Sequence, residues 1–430
     1  MNAIGLMFII FAVALFTGVP IGISICIVLL SAQFLIPGLT ADSEYVFRSM
    51  VTALDTYPVL AVPLFVLCGI IMGRGGISKR LFDFFSFFIG NITGGLPMTI
   101  IVTCLFYGAI SGSAPATTAA VGAMTIPLLV NLGYDRSFVT AIVATAGGLG
   151  IIIPPSIPFI WYGLTASVSV SDLFIAGVLP GILVAVFLCG YAYFYCKIKG
   201  EDKIKLSENY RALKAMGLAK MFKDSILALL MPLFVLGGIY GGVVTPTEAA
   251  VVAVVYSFII ATFVYKTVTV RDYPAVLREA LVTVAPLMFV CGAAIVFGKE
   301  LAMVGAPALV GALIKSTVST KIGFLLIVNC VLIIAGMIIE PVSALLITTP
   351  ILLPTAMYFG VDPIHLGVII VVNLAIGCVT PPVGLNLYVA SAMTGISIIE
   401  IAKKAVPLMV MFLLALAVIT YCEWFSLALL

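Results

Sequence analysis

The chain has 430 residues, of which 63% are hydrophobic and only 9% charged, and its mean hydropathy is +1.30. A soluble domain carries roughly 25% charged residues, and apolar runs of about 20 residues recur here from end to end, so a soluble protein is excluded and a polytopic membrane protein is indicated. The net charge of +3 resides mainly in the connections between the runs and gives no basis for nucleic-acid binding.

The first apolar run, Ile4–Ile36, is far longer than a signal core and lacks a basic leader, so it is expected to be a span rather than a removable signal peptide. Gly18-Val-Pro20 interrupts it. Residues 37–55 form a polar connection, and Pro58–Gly73 a second span. The aromatic-rich stretch Leu81–Ile89 is short and suits an interfacial helix better than a crossing. Leu96–Ile110 and Thr117–Leu132 are each too short to span comfortably and flank a small polar turn, which predicts a re-entrant hairpin over 96–132. A broken helix follows over 137–168, interrupted by Gly147-Gly-Leu-Gly-Ile-Ile-Ile-Pro-Pro-Ser-Ile-Pro158, and Leu173–Tyr195 is a plain span. Residues 196–224 read as the one long hydrophilic loop, with eight Lys/Arg, and Ser225–Gly242 as a connecting span. Thr247–Tyr265, Leu281–Phe297, a second hairpin over 322–357, a second broken helix over 364–392 and Ala405–Leu430 complete an all-α chain of about nine crossings.

Two consecutive prolines at 381–382 remove two backbone donors and push Thr380 out of the α region, so a helix cannot run through. Pro154 and Pro155 repeat the device at an offset of 227, which also pairs Gly150 with Gly377, Asp135 with Asp362 and Pro180 with Pro407. The second half therefore repeats the first, which divides the chain into 1–195, a basic connection with its span over 196–246, and 247–430. With the amino terminus in the cytoplasm, seventeen Lys/Arg fall inside, in five groups from Arg74 to Lys404, and four fall outside. The copies then run in opposite directions, as an inverted repeat with one hairpin entering from each side, and the carboxyl terminus is periplasmic.

Paired broken helices at membrane depth are where secondary transporters hold substrate and coupling ion. Half-helix N-termini favour an anion, while freed carbonyls and hydroxyls suit a hard cation such as Na⁺. A first ion site would draw on Ser111, Gly112, Ser113, Gly148 and Gly150, and a second on Ser343, Asn373, Gly377, Thr380 and Glu340. The anion would lie between them, beside Ser113, Pro155, Ser156, Thr380, Pro382 and Asn386. Serines in membrane helices more often bond back to their own helix; their position at Gly/Pro-rich turns raises these above that reading. Glu340, ionisable at membrane depth, is expected to serve an ion or a proton relay. By contrast, Thr245-Pro246-Thr247-Glu248 reads as a capping box, Asp135 and Asp362 as N-caps, and His365 as a surface residue at a helix start. The nine cysteines show no CxxC spacing; all but Cys196 sit well inside apolar runs and read as small buried hydrophobes.

Rival classes fit poorly. Ser111 lacks the Gly-x-Ser-Gly flank of an intramembrane protease, no P-loop is present, and a passive channel requires no paired hairpins. A non-catalytic membrane scaffold is the remaining alternative.

Gly-Ala-Ile-Ser-Gly-Ser at 108–113, Ile-Pro-Pro-Ser-Ile-Pro at 153–158, Tyr-Gly-Gly-Val-Val-Thr-Pro-Thr-Glu-Ala-Ala at 240–250 and Asn-Leu-Ala-Ile-Gly-Cys-Val-Thr-Pro-Pro-Val-Gly-Leu-Asn at 373–386 resemble the large membrane subunit of tripartite ATP-independent periplasmic (TRAP) transporters. The resemblance implies an elevator-type fold of the ion transporter superfamily, in which hairpins and broken helices move against a scaffold. It implies no enzyme but Na⁺-coupled import, across the bacterial inner membrane, of an organic acid, C4-dicarboxylates and sialic acid foremost. A periplasmic substrate-binding protein would deliver the acid, and a small four-helix membrane subunit would enlarge the scaffold. The family usually has Asp at the second tip, where this chain has Glu340 followed by Pro341. A stand-alone Na⁺/dicarboxylate symporter of the same superfamily is the alternative within transport.

Overall fold

The computed structural model describes residues 3–36 and 42–430, and among them every regular element is a helix. Helices α1 (Ala3–Phe16) and α2 (Ile21–Leu35) part at Gly18-Val19-Pro20, so the single long first span expected from Ile4 to Ile36 is two short helices packed on each other. Pro20 supplies no N–H to continue the first ladder. The connection expected over 37–55 folds as α3 (Ser43–Leu54), because Asp42 accepts the Tyr45 N–H at 2.8 Å as an N-cap; residues 37–41 lie outside the described residues. A short 3-10 turn leads into α4 (Ala61–Arg74), and α5 (Ile77–Ile89) buries Ile77, Leu81 and Phe82 along one side.

The first hairpin is α6 (Gly95–Ser111) and α7 (Ala114–Asn131). Helix α8 (Arg136–Ala146) begins at the Asp135 cap, gives way to a 3-10 turn over Gly147–Ile151, and resumes beyond the prolines as α9 (Ile157–Ala166). Helix α10 (Val170–Lys199) is 30 residues long and runs into the basic segment. That segment is not a loop: α11 (Lys203–Ala215) and α12 (Leu218–Tyr240) follow almost without a gap. Lys, Leu, Glu, Arg and Ala are strong helix formers, and no residue of α11 is buried, so a solvated helix forms on propensity.

Helix α13 (Pro246–Ile259) starts at the expected capping box of Thr245 and Glu248. Then come α14 (Tyr273–Met303), α15 (Ala306–Thr317) and the second hairpin, α16 (Lys321–Ile338) with α17 (Pro341–Tyr358). Helix α18 (Pro363–Gly377), capped by Asp362, ends at the second break; α19 (Leu385–Thr394), α20 (Ile398–Tyr421) and α21 (Trp424–Leu427) close the chain. Nine helices among the described residues are long and apolar enough to cross a membrane.

Two groups of helices result. Helix α14 packs on α2, α3 and α4, and α4 packs on α13. The hairpins and broken helices form the other group: α7 on α8 and its 3-10 turn, α16 and α17 on α18, and α17 also on α9. Trp161, Tyr162, Phe138 and Phe159, among the largest buried side chains, lie in this second group, and α14 joins the groups by packing on α17. The outer end of the first hairpin is tied down by Glu201, whose carboxylate accepts the Gly94 N–H at 3.1 Å and the Tyr134 O–H at 2.5 Å. Burial and the adjacent Glu201 carboxylate push the Tyr134 phenol above its ordinary range, which keeps it the donor.

Two expectations fail here. His365 is fully buried, with Nδ1 2.9 Å from Ser426 Oγ and Nε2 3.3 Å from the Thr420 carbonyl, because α21 folds over the start of α18. Among the cysteines, all free, Cys196 is buried whereas Cys330 and Cys422 are exposed. Hydropathy says that a helix is apolar, not which of its faces meets protein.

Candidate functional site

The first tip gathers oxygen. Ser111 Oγ lies 2.8 Å from Thr117 Oγ1, and Thr117 donates to the Ser113 carbonyl at 2.8 Å, with Ser111 Oγ 3.4 Å from that carbonyl. These are neutral hydroxyl and carbonyl donors, the chemistry a hard monovalent cation takes. Gly150 closes against them from the first break: a Cβ there would stand 2.7 Å from the Ser113 carbonyl oxygen. Ile157 N–H reaches the Gly112 carbonyl at 3.4 Å, joining tip and break through the backbone. Gly148 is buried in the same turn, facing the Ala375 carbonyl of α18. Thr117 escaped the sequence reading. Its signal was its spacing, one helical turn beyond Ser113.

Glu340 is the N-cap of α17, and its Oε2 accepts both the Ser343 N–H and the Ser343 hydroxyl at 3.0 Å. Gly336, at the end of α16, lies directly on Gly377: a Cβ on Gly377 would stand 2.5 Å from the Gly336 carbonyl carbon. The Val383 N–H donates to the Met337 carbonyl at 3.1 Å, so the second break also rests on the second tip. Thr380 bonds back to the Ile376 carbonyl at 2.8 Å. Asn373 is turned into a chain with Asn329 (2.8 Å) and, through it, Thr420 (3.2 Å). Asn386 donates to the Ala144 carbonyl of α8 at 2.9 Å and so ties the two broken helices together. The Oδ1 atoms of Asn373 and Asn386 are buried without a partner.

One cavity of about 290 Å³ lies between the tips, lined by Gly112 and Ser113 from the first and Glu340 and Ser343 from the second. Ala114 and Pro115, Ile157 and Pro158, Pro341 and Val342, and Leu385 also line it, so the N-termini of α7, α9, α17 and α19 all border the same space. Ser156 caps α9 and Glu340 caps α17, while α7 and α19 have no side-chain cap. The uncapped ends of α7 and α19 each carry about half a positive charge and favour an anion without a basic side chain, while the Glu340 carboxylate already sits on the end of α17. Val66 of α4 and Pro286 and Leu287 of α14 form the facing wall.

Of the residues read from the sequence, Gly112, Ser113, Glu340 and Ser343 line this cavity. Ser111, Gly148, Gly150, Pro155 and Ser156 are buried behind the first tip, and Ser156 is engaged by the Ile151 carbonyl at 2.5 Å. Gly377 is buried beneath the second tip, Thr380 is half-buried, and Pro382 is exposed and away from the cavity. Asn373 and Asn386 sit deeper, in the seams between helices.

Residues 8–425 match the family described as Tripartite ATP-independent periplasmic transporter, DctM component. The chain is 40% identical over 412 residues to the isethionate TRAP transporter permease protein DctMQ of Oleidesulfovibrio alaskensis, covering 96% of this chain but only 64% of that longer protein. It is 42% identical over 375 residues to the C4-dicarboxylate TRAP transporter large permease protein DctM of Pseudomonas aeruginosa, covering 87% of this chain and 86% of that one. With the sialic acid TRAP transporter large permease protein SiaM of Vibrio cholerae it shares 33% identity over 415 residues, covering 96% of this chain and 95% of the other. The crystal structure of the Alcanivorax borkumensis YdaH transporter superposes with a TM-score of 0.57 at 17% identity, covering 95% of this chain and 98% of that one, which shows a shared fold. The chain thus belongs to the DctM family, the large membrane permeases of TRAP transporters.

Proposed function

We propose that this permease imports a small organic anion across the bacterial inner membrane, coupled to Na⁺, by an elevator movement of the hairpins and broken helices against the α2–α4, α13 and α14 group. The convergence of four helix N-termini on one cavity carries the reading. The oxygen cluster of Ser111, Ser113 and Thr117 would hold one Na⁺, and Glu340 with Ser343 and the Gly377 backbone a second. Helix-end amides would take the acid group, and the ions beside them would offset its charge. An inverted repeat with a cytoplasmic amino terminus and a periplasmic carboxyl terminus accounts for the Lys/Arg distribution. Relatives named for isethionate, C4-dicarboxylates and sialic acid share only an anionic group, so a carboxylate or sulfonate is the substrate class. By kinship, a periplasmic substrate-binding protein would deliver it and a small four-helix membrane subunit would complete the scaffold.

Uptake of succinate, sialic acid and isethionate into proteoliposomes tests this, with the chain alone, with its small subunit, and with the binding protein added, each with and without an inward Na⁺ gradient. Uptake that needs all three proteins and Na⁺ supports the proposal. Na⁺-driven uptake by the chain alone makes it a simple symporter, and uptake indifferent to Na⁺ removes the coupling.

A further inference from the structure

A second cavity of about 510 Å³ shares Val66, Ser113, Pro115 and Thr283 with the first, so the two run together past the tip of the first hairpin. One wall is a face of α7 made of Pro115 and the four alanines Ala116, Ala119, Ala120 and Ala123. At the far end, Arg74 on α4 meets Glu279 on α14: Nη2 is 2.5 Å and Nε 3.0 Å from the same carboxylate oxygen, Oε2. Arg74 is the one basic side chain lining either cavity among the described residues. An anion leaving the central cavity therefore meets its first basic side chain there. The guanidinium offers five N–H donors in a fixed fork, and Glu279 engages only Nε and one Nη2 hydrogen. Both side chains are nearly half exposed, so the pair itself is weak and can share its cation.

We infer that Arg74, restrained by Glu279, forms an outer subsite for the carboxylate or sulfonate of the transported acid, at the end of the passage on the side the Lys/Arg distribution assigns to the cytoplasm. The inference rests on the central cavity taking an organic anion. Arg74 takes the acid group as it leaves the helix ends. Glu279 keeps the guanidinium aimed into the passage and limits how long the acid stays.

Phenylglyoxal modification of arginine, read by peptide mass spectrometry on the permease with its small subunit, tests it directly. Succinate, sialic acid or isethionate should slow modification of Arg74 by about threefold or more relative to chloride at equal ionic strength, while exposed Arg48 on α3 reacts unchanged. Glu279→Gln should deepen that protection. In counterflow from the cytoplasmic face, Arg74→Gln should raise the half-saturating concentration about tenfold, the size of one charge-assisted hydrogen bond, and Arg74→Lys should restore part of it. Equal slowing by chloride, or equal slowing at Arg48, overturns the subsite. Transport of an acid that leaves Arg74 unprotected overturns it as well, with the functional reading intact. Protection of Arg74 without transport of any of the three acids upholds the subsite and overturns the transport reading.

Discussion

Replacing Gly377 by alanine tests how the second tip is held on the second break. The new Cβ would stand 2.5 Å from the Gly336 carbonyl carbon and 2.6 Å from its oxygen. Carbon atoms pack best at about 3.5–4.0 Å, and the obstacle is backbone, which cannot rotate aside. Helices α16 and α18 must therefore separate by roughly 1 Å. Overpacking of this kind costs about 1–3 kcal/mol, and the helical preference of Ala over Gly returns about 0.5–1 kcal/mol. The net, about 0.5–2 kcal/mol, is a roughly 2- to 30-fold loss in the equilibrium that keeps tip and break closed. The Val383 N–H, which donates to the Met337 carbonyl at 3.1 Å across that seam, reports it directly. Amide exchange at Val383 should accelerate by that factor in Gly377→Ala, and the melting temperature should fall. Gly190→Ala, where nothing lies within 4 Å, should match or slightly exceed the wild type in stability. Wild-type exchange at Val383 in Gly377→Ala would refute the steric reasoning.

Thr117→Val keeps shape but removes the hydroxyl shared with Ser111 and Ser113; the Na⁺ concentration for half-maximal uptake should rise about tenfold, and an unchanged Na⁺ dependence removes Thr117 from the proposed ligands. Glu201→Gln weakens the charge-assisted bonds to Gly94 and Tyr134, so exchange at the Gly94 amide should quicken several-fold while Val383 is unaffected. His365→Leu leaves the Ser426 hydroxyl buried without its ring partner and should destabilise the protein by about 1–3 kcal/mol, read as a lower melting temperature with the α21 amides the first to exchange.

Much of the helix plan was legible because its punctuation is local. Proline pairs, glycine runs and N-cap aspartates act within a turn of where they sit, so both hairpins and both breaks could be placed from residue types alone. The failures are where burial depends on distant chain. His365 is buried only because α21, more than 55 residues later, returns across it. Residues 203–215 were read as loop because they are polar, although Lys, Glu, Leu and Ala favour a helix whether or not anything covers it. Composition reports what a segment can bury, and propensity what it does when it buries nothing.

The site shows the same division more sharply. The two breaks share a motif, yet Pro154 and Pro155 are buried while Pro381 and Pro382 are exposed. A repeated sequence fixes where backbone bonds are lost, but their replacement comes from the tip that lies against each break. At the first tip the turn is small, and the break packs closely enough for the Ile157 amide to reach the Gly112 carbonyl. At the second, Glu340 folds onto its own helix end, Gly336 rests on Gly377 before the prolines, and the Val383 amide reaches the Met337 carbonyl beyond them. Thr380 and Pro382 do not line the cavity that Glu340 and Ser343 border, just as Pro154 and Pro155 at the first break do not.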